Sequence, residues 1–226
     1  MKERVDICII DFFPEEYITK NRKQCIMFEK EIREESKVPQ GHGIALIEIM
    51  KAIVPELKYI FVPVVPQTTF KQINEILFFL IKEDICSIIN MSFGFYYYKE
   101  SDVFALSRIC MQAKAKNILL VCADDENGKI VYPAADRNVI CVRNNDKMEE
   151  TDIYWKGNIV YLRTISLKVR WTYDRTLWVY GNSYYAAIVS GLLIRKKNNR
   201  KWEEFSIKKL TGRIEIKEGR WKDKNI

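Results

Sequence analysis

The feature that most constrains the fold is an alternation of two hydrophobic patterns along the first two thirds of the chain. Short apolar runs without a helical period predict buried strands, which are residues 4–11, 57–65, 85–91, 118–122 and 139–142. Apolar residues at helical spacing predict helices between them, which are residues 43–54, 70–82 and 102–116. Strands buried on both faces and separated by helices are typical of parallel sheets. We therefore predict an α/β fold of three layers, a mainly parallel sheet with helices on both faces.

Two other segments have a different character. Residues 15–37 are strongly charged and predict a surface helix or loop, with Ile26, Met27 and Phe28 as its inward part. Residues 152–180 are rich in β-forming side chains and show no clear helical period. These segments add strands and surface structure to the alternating pattern without interrupting it.

The end of the chain carries the net charge. We predict a helix from Ser183 to about Lys197, a short helix at residues 202–210 and a β-like tail. A length of 226 residues without a repeat or linker predicts one domain over residues 1–226, with a basic C-terminal end at residues 195–226. That end holds 12 basic and 5 acidic residues, a difference of +7, which equals the net charge of the whole chain.

This charge distribution limits the expected partners. A neutral body is not typical of a nucleic-acid-binding domain, so we expect no nucleic-acid partner. No apolar run reaches the roughly 18–20 residues that a membrane-spanning helix needs, so we expect no membrane partner. The basic end is either a solvated helix and turn or a possible contact for an acidic protein partner.

The cysteine pattern indicates the kind of cellular compartment in which the protein is expected. The six cysteines form no CxxC pair, and four of them, Cys8, Cys86, Cys122 and Cys141, lie in or beside apolar runs. Buried free thiols of this kind are typical of a reducing compartment. We therefore predict free cysteines and a cytoplasmic location.

Polar residues follow three of the predicted strands. Asp11 ends the first strand, Ser92 follows the strand at residues 85–91, and the loop at residues 124–128 follows a third. Ligands of parallel sheets bind beyond the carboxyl ends of the strands, where these three places meet. The strand pattern alone therefore predicts a site at this edge.

Two further residues draw attention. His42, the only histidine, stands between two glycines before a predicted helix, and Ser183 stands in a Gly-x-Ser at the start of another. Each has an ordinary structural explanation by itself. A lone histidine is often structural, and a serine at a helix start is often its N-cap.

Five segments in order resemble the subtilisin-like serine proteases, and the likeness covers about residues 4–220. They are the strand Val5–Asp11, the segment Gly41-His42-Gly43-Ile44-Ala45, the segment Ile89-Asn90-Met91-Ser92-Phe93-Gly94, the segment Tyr132-Pro133-Ala134-Ala135 with Val139-Ile140-Cys141-Val142, and Gly181-Asn182-Ser183. The order Asp, His, Ser is that of subtilisin. The resemblance implies a subtilisin-like fold.

The resemblance also implies catalytic roles. Ser183 would attack a peptide carbonyl, His42 would accept its proton and pass it to the leaving amine, and Asp11 would orient the imidazole. Ser92, Phe93 and Gly94 would pair with the substrate backbone. We expect an intracellular serine endopeptidase that acts on a peptide or protein substrate, such as a precursor peptide, without a cofactor or metal.

The loop that should supply the oxyanion donor departs from the family. Depending on the alignment, Glu126 or Asn127 takes the place of the family's oxyanion asparagine. A carboxylate would repel a developing oxyanion, whereas an amide N–H would stabilise it by roughly 3–4 kcal/mol. Asn127 is therefore our oxyanion candidate.

Other departures concern the surroundings of these residues. Phe12 and Phe13 follow the aspartate where the family has a small residue and glycine, and Asn182 and Ala187 replace a threonine and a proline. Because the catalytic strand begins near residue 4, we expect no encoded prodomain. We also see no loop after Asp11 like the family's calcium sites.

Two other function classes compete with this interpretation. The altered oxyanion loop favours a pseudoprotease that binds a peptide or a partner protein without cutting it. An α/β hydrolase acting on esters would need the order Ser, Asp, His and a second glycine after the serine. The chain has neither feature.

Overall fold

A seven-stranded sheet forms the centre of the chain in a computed structural model, which describes residues 4–28, 41–148, 152–172, 175–199 and 215–218. The strands are β1 (Val5–Asp11), β2 (Tyr59–Pro63), β3 (Cys86–Met91), β4 (Leu119–Ala123), β5 (Ile140–Asn145), β6 (Ile153–Lys156), β7 (Ile159–Arg163), β8 (Ile165–Arg170), β9 (Thr176–Val179) and β10 (Glu215–Glu218). The helices are α1 (Glu15–Lys20), α2 (His42–Ile53), α3 (Phe70–Lys82), α4 (Glu100–Ala115) and α5 (Asn182–Asn199), and a 3₁₀ turn spans Arg22–Gln24.

The central sheet is mainly parallel. Its strand order is β2-β1-β3-β4-β5-β7-β6, and only β6 runs antiparallel to its neighbour. A separate antiparallel sheet has the order β10-β8-β9. Because the parallel strands share one direction, their carboxyl ends form a single edge of the sheet.

Side chains of β1 show how the sheet separates two cores. Ile7 and Ile9 point into a core shared with α2 and α5, whereas Cys8 and Ile10 point into a core shared with α3 and α4. All four side chains have no exposed surface. Alternation of this kind requires apolar residues at every position of a strand covered on both faces. The predicted three-layer α/β fold is confirmed.

The predicted helices and strands agree with the structure to within a few residues. The start of α3 shows why, because Thr69 and Gln72 form a capping box that marks the helix start in the sequence. The β-rich stretch at residues 152–180 contains four strands, β6 to β9. Local signals therefore determine these boundaries.

One sequence expectation was wrong. Met27 and Phe28 were expected to point inward, but their side chains are 40% and 38% exposed. Phe28 packs its ring edge against Phe79, with ring centroids 5.2 Å apart, so the two aromatic side chains cover each other on the surface. The helix predicted at residues 202–210 lies outside the described residues, and so does most of the basic end.

All six cysteines are free, as expected. Five are buried, and Cys25 is half-buried. Within the described ranges, no helix is both long and apolar enough to cross a membrane.

Candidate active site

Asp11 is the last residue of β1 and lies at the carboxyl edge of the sheet. Its backbone carbonyl accepts a hydrogen bond from the Val64 N–H at 3.0 Å, which holds it beside the end of β2. Its side chain is only 1% exposed. Oδ1 accepts the Phe12 N–H at 2.7 Å and lies 2.7 Å from Nδ1 of His42. The buried carboxylate therefore contacts the only imidazole of the chain directly.

His42 is the first residue of α2, and close packing on both sides keeps it in place. A Cβ on Gly41 would lie 1.9 Å from the Trp171 carbonyl oxygen, and a Cβ on Gly43 would lie 2.5 Å from the Phe13 ring. Contacts this short exclude side chains at both positions. The two glycines that flank the histidine therefore let α2 start directly against its neighbours.

The charge of Asp11 affects the pKa of the His42 imidazole. Burial acts to lower the pKa of His42, but the negative charge of Asp11 and its hydrogen bond raise it, and the net shift lies above the ordinary value of 6.5. The carboxylate therefore stabilises a protonated imidazole, which is the species formed when histidine accepts a proton from a nucleophile.

Ser183 lies in the first turn of α5. Gly181 precedes the helix with φ at +121°, a backbone region that glycine adopts far more readily than other residues. The Ser183 hydroxyl donates to the Ser92 carbonyl oxygen at 2.9 Å, and the Ser92 hydroxyl donates to the Ser183 carbonyl oxygen at 3.1 Å. Among the described residues, the Ser183 hydroxyl is therefore directed to the end of β3 and not to His42.

Tyr184, the residue after Ser183, packs against His42. The ring of Tyr184 lies 5.2 Å from the imidazole of His42, tilted by 54°. Burial, followed by the charges of Asp11 and Glu126, raises the pKa of Tyr184. The phenol therefore stays neutral and packs beside the histidine at the carboxyl edge.

Asn182 was recognised from the sequence only as a replacement for threonine, but the structure gives it a positioning role. Its side-chain amide donates to the Asp124 carbonyl oxygen at 2.9 Å, and its oxygen accepts the Asn144 N–H at 2.7 Å. Asn182 is buried. It therefore ties the start of α5 to the ends of β4 and β5, a role that only the folded chain reveals.

A buried polar network ties the same helix to β3. The Asn90 amide donates to the Ser190 hydroxyl at 3.0 Å, and the Ser190 hydroxyl donates to the Ala186 carbonyl oxygen at 2.8 Å. The Ser92 hydroxyl has Asn90 Oδ1 as a second acceptor at 3.1 Å. Buried polar groups with partners rigidify their surroundings, so these bonds hold α5 in register with β3.

The loop after β4 places Glu126, and not Asn127, against the nucleophile segment. A Cβ on Gly181 would lie 2.3 Å from Oε1 of Glu126. The side chain of Asn127 is exposed and makes no hydrogen bond within the described ranges, while its backbone N–H donates to Asp125. The oxyanion role of Asn127 stays a prediction, and no contact of its amide supports it.

The two phenylalanines after Asp11 have separate surroundings. Phe13 is buried and packs on Phe61, with ring centroids 4.5 Å apart. Phe12 is half-buried and faces Phe93, one of the predicted substrate-contacting residues, at 6.4 Å. Phe13 therefore belongs to the core, and Phe12 borders the predicted substrate edge.

The fold is that of the subtilisin-like proteases. A lanthipeptide protease superposes with a TM-score of 0.63 and 14% identity, over 92% of this chain and 78% of that chain. A cold-adapted subtilisin-like serine proteinase gives 0.62 and 13%, over 92% and 80%. The epidermin leader peptide processing serine protease of Staphylococcus aureus gives 0.65 and 15%, over 85% and 65%. No protein-family profile and no curated protein sequence matches the chain.

Proposed function

We propose that the protein is a serine endopeptidase that hydrolyses peptide bonds through Asp11, His42 and Ser183. One observation carries the proposal. The only histidine lies 2.7 Å from a carboxylate that is buried at the carboxyl edge of the sheet, and a serine at the start of a helix lies at that same edge. A base oriented by a buried acid is the arrangement that activates a hydroxyl nucleophile.

The first chemical step requires a local change at the serine. The Ser183 hydroxyl must leave the Ser92 carbonyl and turn toward Nε2 of His42, because Nδ1 is engaged by Asp11. Its proton then passes to Nε2 while Oγ forms a bond to the substrate carbonyl carbon. Hydrogen bonds of this kind are often absent before the substrate binds.

The second step returns the proton. The protonated His42 gives its proton to the leaving amine as the C–N bond breaks, which leaves an acyl group on Ser183. His42 then takes a proton from water, whose oxygen attacks the acyl carbon. The bond between that carbon and Oγ of Ser183 breaks, Oγ takes the proton back from His42, and the new carboxylate leaves. Asp11 stabilises the imidazolium in both halves of the reaction.

Substrate would lie extended beside the end of β3. Ser92, Phe93 and Gly94 continue this strand past the edge, and a peptide that pairs with their backbone would place a carbonyl at Ser183. The similar structures include enzymes described as a lanthipeptide protease and a leader peptide processing protease. We propose that the substrate is likewise a precursor peptide, and that the enzyme acts inside the cell.

A second candidate function is peptide binding without cleavage. Two observations favour it, since the Ser183 hydroxyl is held by Ser92 and a carboxylate lies against Gly181. A carboxylate next to the developing oxyanion would raise the barrier to acyl transfer. In that case the same site would bind a peptide without cleaving it.

A fluorophosphonate probe separates the two functions. A protease should be labelled, and Ser183→Ala should abolish the labelling. Ser101→Ala, at an exposed serine in the first turn of α4, is the matched control and should be labelled like the wild type. If the wild type is not labelled, or if Ser183→Ala is still labelled, the protease proposal fails and peptide binding becomes the better account.

A further inference from the structure

Asp124, the residue directly after β4, has a hydrogen-bond partner at every polar atom. Its backbone N–H donates to the Val142 carbonyl oxygen at 2.9 Å, and its own carbonyl oxygen accepts the Asn182 side-chain amide at 2.9 Å. Its Oδ1 accepts the Asp125 N–H at 2.9 Å, and its Oδ2 accepts two bonds from the guanidinium of Arg143. Asp124 therefore joins the end of β4, the end of β5 and the start of α5.

The ion pair of Asp124 and Arg143 is the charged part of this junction. Nε of Arg143 lies 2.6 Å from Oδ2 of Asp124, and a second guanidinium nitrogen contacts the same oxygen. The Asp124 side chain is only 7% exposed. Within the described ranges, no other basic side chain pairs with it. Loss of Arg143 would therefore leave a shielded carboxylate without a counter-charge, which is a strongly destabilising arrangement.

The next carboxylate along the loop has partners of its own. Oδ1 of the buried Asp125 accepts the Tyr96 hydroxyl, and Oδ2 accepts the N–H groups of Asn127 and Lys129 at 2.8 and 2.9 Å. These bonds stabilise the loop itself. The connection from the loop to β5 and α5 therefore depends on Asp124.

The ion pair and α5 lie on opposite faces of the central sheet. Cys122 and Cys141 point into the core shared with α3 and α4. Side chains alternate along a strand, so Asp124 and Arg143, each two residues further on, lie on that same face. Burial, followed by the charge of Asp124, raises the pKa of the Cys141 thiol to about 12, in agreement with a carboxylate beside it. Because α5 packs on the other face, the ion pair reaches it only through the strand ends.

We propose that Arg143 is a positioning residue of the candidate active site, which acts on the start of α5 through Asp124 and Asn182. Its guanidinium fixes Asp124 on one face of the sheet, and the Asp124 carbonyl oxygen binds the Asn182 amide at the edge. Asn182 immediately precedes Ser183 in the first turn of α5. This inference deepens the proposed function and rests on it for the effect on catalysis, because it concerns the position of the nucleophile.

Hydrogen exchange of backbone amide groups tests the positioning without requiring cleavage. The reporters are the N–H of Asn144, which donates to Asn182, and the N–H groups of Tyr184 and Tyr185 in the first turn of α5. In Arg143→Met, these groups should exchange about tenfold faster than in the wild type, because the junction opens more often. The amide groups of α3, outside this junction, should keep their rates.

Arg4→Met is the matched control, since Arg4 pairs with Asp84 at the opposite edge of the sheet, and it should leave the reporter rates unchanged. If Arg143→Met does not fold, Arg143→Lys replaces it. Lysine keeps the charge but lacks the planar guanidinium, so the reporters should exchange about threefold faster. Unchanged reporter rates in the folded variant, or an equal acceleration in α3, would overturn the inference.

Fluorophosphonate labelling tests the effect on the nucleophile. Arg143→Met and Asn182→Ala should each lower the labelling rate of the folded protein by about tenfold, because both displace Ser183. The double variant should lose no more than the larger single loss, since Arg143 acts through Asn182. An unchanged rate in Arg143→Met, or losses that multiply in the double variant, would overturn the inference. If the wild type is not labelled, the protease proposal alone fails, and the exchange rates decide whether Arg143 positions α5.

Discussion

The two halves of the candidate site differ in how complete they are. On one side, Asp11 and His42 already form the contact that the proposed reaction requires, at 2.7 Å. On the other side, the Ser183 hydroxyl is bonded to Ser92, and the carboxylate of Glu126 lies against Gly181, two residues before the proposed nucleophile. The difference teaches that one fold can bring two side chains of a proposed site into direct contact while a third, at the same edge, is bonded elsewhere.

The physical origin of the difference is the position of each group. Asp11 and His42 lie on the end of a central strand and on a helix packed against it, so dense packing determines their separation. Glu126 lies on an exposed loop, whose side chains are limited less by packing. Substitutions in the complete half (Asp11 and His42) and in the altered half (Ser183 and Glu126) therefore distinguish which half limits the chemistry.

The largest effect on labelling is expected from a substitution at Asp11, in the complete half. Asp11→Asn should reduce fluorophosphonate labelling by about 10⁴-fold, because an amide neither orients His42 in the required tautomer nor stabilises its protonated form. The second-order labelling rate measures this loss. Asp6→Asn, at the other end of β1, is the control and should label within about twofold of the wild type. A small loss in Asp11→Asn would mean that the Asp11–His42 contact is only structural.

A substitution at Glu126, in the altered half, should raise the labelling rate instead of lowering it. Glu126→Gln should raise the labelling rate at neutral pH by about 10²-fold, since it removes a repulsive charge and adds an N–H donor near the developing oxyanion. Glu75→Gln, at an exposed carboxylate on α3, should leave the rate unchanged. An unchanged rate in Glu126→Gln would show that the carboxylate turns away from the reacting carbonyl.

A third change tests how the nucleophile helix is held. Asn182→Ala removes the bond to the Asp124 carbonyl and leaves the half-buried Asn144 N–H without the Asn182 acceptor, at a cost of roughly 2 kcal/mol in the free energy of unfolding. Urea denaturation should show this loss. Asn182→Asp keeps the acceptor for Asn144 but sets a buried carboxylate oxygen against the Asp124 carbonyl oxygen, so it should lose at least as much. Equal stability of Asn182→Ala and wild type would show that Asn182 does not hold the start of α5 in position.

The smallest effect is the pH dependence of labelling. Only neutral His42 accepts a proton, so the rate should rise about tenfold per pH unit and level off above a midpoint that lies higher than 6.5. In Asp11→Asn, the residual rate should have a lower midpoint, because the charge that raises the pKa of His42 is gone. A wild-type midpoint below 6.5 would contradict the direction of this shift.

The raised pKa of His42 also makes the stability of the folded protein depend on pH. Because the pKa of His42 is higher in the folded protein than in the unfolded chain, folding stabilisation from this pair is full below 6.5. It is lost as the pH rises through the folded-state pKa. Stability and labelling should therefore change in opposite directions over this window.

Much of the fold was predictable because its signals are local. Runs such as Ile7–Ile10 are apolar at every position, and the spacing of α3 repeats every three or four residues, so strand and helix follow from short segments. The outcome at Met27 and Phe28 differs because an apolar residue beside a charged segment can pack on the surface, as Phe28 does on Phe79.

The sequence by itself determined the layer order of the fold, the shared edge of its strands, and the candidacy of Asp11, His42 and Ser183. These depend on residue type and on hydrophobic period. Only the tertiary structure decided that Glu126 rather than Asn127 meets Gly181, that Asn182 bridges two strand ends, and that Tyr96 reaches Asp125. Such contacts join residues 29 to 58 positions apart, and their geometry depends on how packed strands and loops bring distant backbone together.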